Sequence, residues 1–202
     1  MFSPAIAVFC SGQGTNLQAI LNACRRGALP ARVAVVVCDN PKAAALRRAR
    51  AANVPAVLID PKNYPSREAF DRAAARVVEQ YKARLIVLAG FMRILSPWLV
   101  RRYAGKLINI HPSLLPAFPG CHAVRDALKK RVRVTGVTVH FVDEKVDHGP
   151  ILMQGTVPVR KGDTEASLLR RVHRLEHQLY PRAIRQVLDG RAQLVGRKVL
   201  VK

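Results

Sequence analysis

Residues 31–40 read ARVAVVVCDN. The run from Val33 to Cys38 is unbroken by any polar residue and stops at Asp39–Asn40. A strand with one wet face alternates; a strand without alternation is covered on both faces, as in a parallel sheet packed between helices. The same kind of run recurs on either side, in AIAVFCSG (5–12), VPAVLID (54–60), RLIVLAG (84–90) and KLINI (106–110). Helical patterns fill the gaps. Leu17 to Cys24 has helical periodicity and stops near Gly27, and Lys42 to Ala52 carries basic residues on its outer side. Ser66 is placed to cap a helix running to about Lys82, and Ser96–Pro97 opens another with proline at its first position. Strands alternating with helices through short connections predict a parallel sheet with helices on both faces.

Beyond residue 130 the rhythm changes. VTGVTVHFVD (134–143) alternates as a strand and ILMQGTVPV (151–159) reads as its antiparallel partner. A long helix is expected from Thr164 to about Leu188 with Asp163 as cap, and the tail AQLVGRKVLVK as a small hairpin across Val195–Gly196. The expected architecture is α/β: one domain over residues 1–202, an open, mostly parallel twisted sheet with antiparallel strands and a long helix towards the carboxyl end. Its halves divide near residue 100.

The chain has 202 residues and a net charge of +21, from 34 Lys and Arg against 13 Asp and Glu. Much of the excess is arginine on expected helices, as at Arg47, Arg48 and Arg50, Arg170, Arg171 and Arg174, and Arg182 and Arg185. Such a field attracts phosphorylated metabolites, polyanionic cofactors or nucleic acid. The aromatics are few and are not interleaved with the basic residues, so a single-strand stacking platform is not expected and a nucleic-acid partner is not inferred. The charge reads first as a solvated surface. No apolar run approaches the ~20 residues of a membrane span, and the start lacks the basic leader and apolar core of a signal peptide. Cys10, Cys24, Cys38 and Cys121 have neither CxxC nor Cys/His ligand spacing. Reduced thiols in a cytoplasmic protein are expected, and no metal site. A homodimer is left open.

Three stretches carry chemistry. SGQGTN (11–16) falls between the first strand and first helix, where glycines, the Thr15 hydroxyl and the Asn16 amide can hold a phosphate at a helix start. It is neither the dinucleotide fingerprint, since Leu17 stands where a third glycine is needed, nor a P-loop; an ordinary glycine turn remains the alternative. LINIHPSLLP (107–116) puts Asn109 and His111 on one face of a strand at its carboxyl end, followed by a turn stiffened by Pro112 and Pro116. An amide offers an N–H to an oxygen, and an imidazole holds or moves a proton near neutral pH. DEKVDHGPI (143–151) supplies Asp147 in a loop between two strands. Periodicity alone does not bring these three residues together.

SGQGTNLQAI, LAGFMRILSP, NIHPSLLPAFPG, GVTVHFVDEKVDHGPILMQ and EHQLYP resemble, in this order, the signature segments of the folate-dependent formyltransferase superfamily, on its glycinamide ribonucleotide branch. The likeness runs from about residue 5 to 190. It implies a Rossmann-like formyltransferase fold. The activity implied is transfer of the formyl group of 10-formyltetrahydrofolate to the amine of glycinamide ribonucleotide in purine synthesis, with no metal. The resemblance puts the catalytic amide, imidazole and carboxylate on Asn109, His111 and Asp147. It puts glycinamide ribonucleotide on Gly14, Thr15, Asn16, Gly90, Pro112, His173 and Glu176. The folate pocket falls on Met92, Arg93, Ile94, Leu95, Val142, Asp143 and Val146. It also implies a cis bond at Leu115–Pro116. Two departures are His173, at a position commonly Gln or Lys, and His148, where small residues are usual. The alternatives are a superfamily member acting on methionyl-tRNA or on water, and a basic nucleotide-binding module. The first two would bring a further carboxy-terminal RNA-binding domain or an amino-terminal regulatory domain; the last leaves Asn109, His111 and Asp147 unemployed.

Overall fold

Residues 3–202 are described by a computed structural model. Five of its strands run parallel: β1 (Ala5–Cys10), β2 (Arg32–Cys38), β3 (Ala56–Leu58), β4 (Leu85–Leu88) and β5 (Leu107–His111). β6 (Val134–Phe141) and β7 (Ile151–Pro158) join antiparallel, giving the order β3-β2-β1-β4-β5-β6-β7. The unbroken apolar runs are explained by cover on both faces. On one side pack α1 (Thr15–Arg25), α2 (Ala44–Ala51), α5 (Ala123–Lys129) and α6 (Glu165–Leu188); on the other pack α3 (Arg67–Gln80) and α4 (Pro97–Arg102). Tyr180 of α6 is fully buried and donates its hydroxyl to the carbonyls of Leu88 and Ile108, tying the long helix to β4 and β5.

Several expectations are refined. Most of the apolar runs overshoot their strands by one or two residues at the ends, whereas the strand expected over 106–110 continues one residue further, to His111. α1 begins at Thr15, not Leu17, and α5 was not expected. Thr164, not Asp163, caps α6: its hydroxyl accepts from the Ser167 N–H, and Ser167 returns a bond to the Thr164 N–H. Asp163 pairs instead with Arg171. The terminal hairpin, β8 (Ala192–Val195) with β9 (Lys198–Val201), turns at Gly196–Arg197, one residue later than expected. The Leu115–Pro116 bond is cis. The strand order reverses between β1 and β4, and ligands of open parallel sheets bind outside the strand ends at that point.

Candidate active site

At this reversal the segments that follow β1 and β4 are tied together. The Ser11 N–H donates to the Gly90 carbonyl (3.0 Å), and the Ser11 hydroxyl accepts from the Met92 N–H (2.8 Å). A cleft of about 410 Å³ opens beside it, within the range of small-molecule sites. Asn109, His111 and Asp147 all line it. So do Gly90, Met92, Arg93, Ile94, Leu95, Pro112, Val142, Asp143 and Val146. Its rim is unusually apolar for surface: Met92, Ile94 and Val146 are all more than half exposed. The Nε of Arg93 is buried without a hydrogen-bond partner among the described residues, while its guanidinium lies over the Phe70 ring (4.9 Å).

Strand alternation turns Asn109 and His111 towards the same side of β5, and β6 runs antiparallel beside them, with His140 opposite Asn109. Asp147 arrives from the β6–β7 loop. Two backbone features bring it back over β5. Asp147 itself takes a left-handed conformation (φ 50°), which Asp tolerates better than most residues. Gly149 passes so close to the Phe141 carbonyl that a Cβ there would lie 1.8 Å from the oxygen. The Asp147 Oδ2 then accepts from the Gly120 N–H (2.8 Å) and lies 3.3 Å from His111 Nδ1. The other ring nitrogen of His111, Nε2, donates to the Phe118 carbonyl (2.8 Å). Both nitrogens of this buried imidazole therefore face acceptors, and only the imidazolium satisfies both. Asn109 Nδ2 donates to His140 Nε2 (3.3 Å), and an amide nitrogen carries two hydrogens, so one N–H remains for a ligand.

A second cluster lies at the start of α1, which opens on Gly14 with no side-chain cap. Gly14 has φ 69°, and a Cβ there would meet Ala45 Cα at 2.9 Å. Gly12 has no such constraint. Thr15 and Asn16 form the first helical residues, and Asn16 Nδ2 donates to the buried Glu176 carboxylate of α6 (2.9 Å). His173 Nε2 is 4.0 Å from that carboxylate. Burial pushes the Glu176 pKa up against the Asn16 hydrogen bond and the charges of His173 and His111, which pull it down. Gly14, Thr15, Asn16, His173 and Glu176 thus form one group, beside the cleft rather than in its lining.

Three nearby residues were not singled out from the sequence. Arg48, read there as outer-surface charge, donates from Nε to the Gln13 carbonyl (2.8 Å) and from Nη1 to Gln18 (3.2 Å), bracing the glycine loop. His177 stacks near His173, with ring centroids 6.1 Å apart. His140, the third, is one of three polar residues in β6, with Thr135 and Thr138, and only its register against Asn109 gives it away. His148, adjacent to Asp147 in sequence, pairs instead with Asp143 (2.7 Å).

The likeness to known proteins extends over nearly the whole chain. Residues 5–184 match the family described as formyl transferase. The chain is 43% identical to the phosphoribosylglycinamide formyltransferase of Bacillus subtilis, over 90% of its own length and 93% of the relative's. It is also 43% identical to the enzyme of that name from Escherichia coli, over 94% and 89%. Among solved structures, glycinamide ribonucleotide transformylase 1 from Symbiobacterium toebii superposes with a TM-score of 0.96 at 50% identity, covering 99% of this chain and 94% of that one.

Proposed function

We propose that this chain, which belongs to the formyl transferase family, transfers the formyl group of 10-formyltetrahydrofolate to the amine of glycinamide ribonucleotide, a step of purine synthesis. The observation that carries the reading is the convergence of Asn109, His111 and Asp147 on one cleft. An apolar rim suited to a flat aromatic donor borders that cleft, and an uncapped helix start suited to a phosphate ester lies next to it.

In this reading the amine attacks the formyl carbon, the new C–N bond forms and the carbonyl oxygen becomes negative; collapse of that tetrahedral intermediate restores the carbonyl and breaks the bond to N10 of the folate. The spare N–H of Asn109 donates to that oxygen, and the His111 imidazolium stabilises its charge. Asp147 holds the imidazolium, and a proton passes from the attacking nitrogen to the leaving N10, with Asp147 assisting through water. Met92, Arg93, Ile94, Leu95, Val142, Asp143 and Val146 hold the folate. Gly14, Thr15, Asn16, Gly90, Pro112, His173 and Glu176 hold the ribonucleotide, with Glu176 an acceptor for its hydroxyl or amine protons. The whole chain acts as one formyltransferase domain in the cytoplasm, on small-molecule substrates rather than nucleic acid, and its positive field favours the approach of both anionic substrates.

The test is to follow consumption of 10-formyltetrahydrofolate with and without glycinamide ribonucleotide. Rapid consumption with the ribonucleotide, and a slow background without it, is expected. Equal rates in both would make water the acceptor; consumption only with methionyl-tRNA would move the acceptor there.

A further inference from the structure

His140 is buried between Asn109 and the loop carrying Asp147, and the mechanism just described leaves it without a role. Its hydrogen bonds define its proton. Nδ1 lies 2.8 Å from the Phe141 carbonyl, which can only accept, so Nδ1 carries the hydrogen. In the neutral ring Nε2 is then a bare acceptor, and Asn109 Nδ2 sits 3.3 Å from it. An amide placed there has two orientations related by a half-turn. With Nδ2 towards the ring it makes a hydrogen bond; with Oδ1 towards the ring it faces a lone pair.

We propose that His140 is a positioning residue: as the Nδ1–H tautomer it fixes the orientation of the Asn109 amide, so that Asn109 presents an N–H and not a carbonyl oxygen to the reacting centre. The inference rests on the proposed formyl transfer for its kinetic consequence, but the tautomer and the amide orientation do not depend on it. Selection between the two amide faces matters because only one of them stabilises a negative oxygen. A protonated His140 would turn Nε2 into a donor, favour the opposite amide orientation, and offer that N–H to Asp147 Oδ1, 3.9 Å away.

The surroundings keep the ring neutral. Burial lowers its pKa from the ordinary imidazole range and the charge of His111 acts the same way; the hydrogen bond to Phe141 and the carboxylates of Asp147 and Asp143 act against it. Those are the charged groups that face it: His111 from β5, and Asp143 and Asp147 from the β6–β7 loop.

Two measurements test this. Long-range ¹⁵N–¹H NMR of the free wild-type protein at neutral pH should show a bare Nε2 and a protonated Nδ1 at His140, with one Asn109 side-chain N–H shifted by its bond to the ring. A protonated Nε2 under those conditions overturns the proposal. Kinetics supply the second. His140→Phe should lower kcat by about 10²-fold, the typical cost of losing an oxyanion donor, with both KM values within about threefold. His140→Gln, turned so that its carbonyl oxygen faces Asn109, should recover at least about tenfold of that loss. Equal kcat in the Phe variant and the wild type overturns the proposal, and so does a Gln variant no better than Phe. A wild-type protein with the expected nitrogen pattern but no formyl transfer supports the lock and overturns the assigned reaction.

Discussion

Replacing Asp147 by Asn isolates charge from shape. The carboxylate oxygen that faces His111 Nδ1 at 3.3 Å also accepts from the Gly120 N–H at 2.8 Å. An amide oxygen in the same place keeps the Gly120 bond, and Asn tolerates the left-handed conformation that residue 147 adopts at φ 50°. The fold should therefore survive, with an unfolding temperature close to that of the wild type. What is lost is the ion pair. At an effective dielectric of about 20, opposite charges 3.3 Å apart interact by ~5 kcal/mol. A neutral hydrogen bond to the amide returns about 1 kcal/mol of that. The remaining ~4 kcal/mol corresponds to about three powers of ten in rate if the imidazolium matters chiefly when the oxygen is charged. Initial rates with both substrates saturating should show kcat lower by about 10³-fold, and calorimetric titration should show nearly unchanged affinity for glycinamide ribonucleotide. A variant that is folded, binds the ribonucleotide and turns over within tenfold of the wild type would refute the role given to this pair.

Glu176→Gln should trade affinity for stability. Burial raises the Glu176 pKa, so the folded protein holds that proton more tightly than the unfolded chain; the associated stability is present below the ordinary glutamate range and is lost as pH rises through the raised pKa. The amide does not titrate, so the variant's unfolding temperature relative to wild type should climb as pH rises above the ordinary glutamate range and through the raised pKa, while KM for the ribonucleotide rises about tenfold with loss of a carboxyl acceptor. A difference that is flat with pH would contradict the burial argument. Gly14→Ala should destabilise by ~1–3 kcal/mol in urea titrations, because φ 69° and the 2.9 Å approach to Ala45 leave no room for a methyl group. It should raise KM for the ribonucleotide and leave that for the folate unchanged; equal effects on both would mean the loop serves the fold rather than a phosphate.

The sheet was legible because its signal is local. Val33 to Cys38 and Leu85 to Leu88 are buried along their whole lengths, so each strand announced itself without reference to any other. α5 escaped because it has only seven residues, and the apolar side chains it buries, Ala123, Val124 and Ala127, are small and sit among basic residues. Thr164 and Asp163 are both good caps by composition; the choice was made by Arg171, which draws Asp163 away, and by Ser167, which completes a box with Thr164.

The site divides along the same line. Asn109 and His111 share a face by strand alternation, so their proximity was readable two residues apart. Asp147 was readable as a partner only through resemblance, since its approach depends on a left-handed residue and on Gly149 lying under the Phe141 carbonyl, neither of which leaves a periodic trace. His140 is harder still. In the sequence it is one polar residue among three in an alternating strand, and its meaning comes from pairing register: a shift of one residue between β5 and β6 would replace it opposite Asn109 with Val139 or Phe141 and leave the amide without an acceptor. The cis-proline loop helps to hold that register, for Thr138 of β6 donates its hydroxyl to the Ser113 carbonyl (2.7 Å) and accepts from the Leu115 N–H (3.0 Å). The segment that stiffens the turn after His111 therefore also sets which side chain of β6 meets Asn109, and the two prolines in LINIHPSLLP belong to the chemistry of the strand they follow.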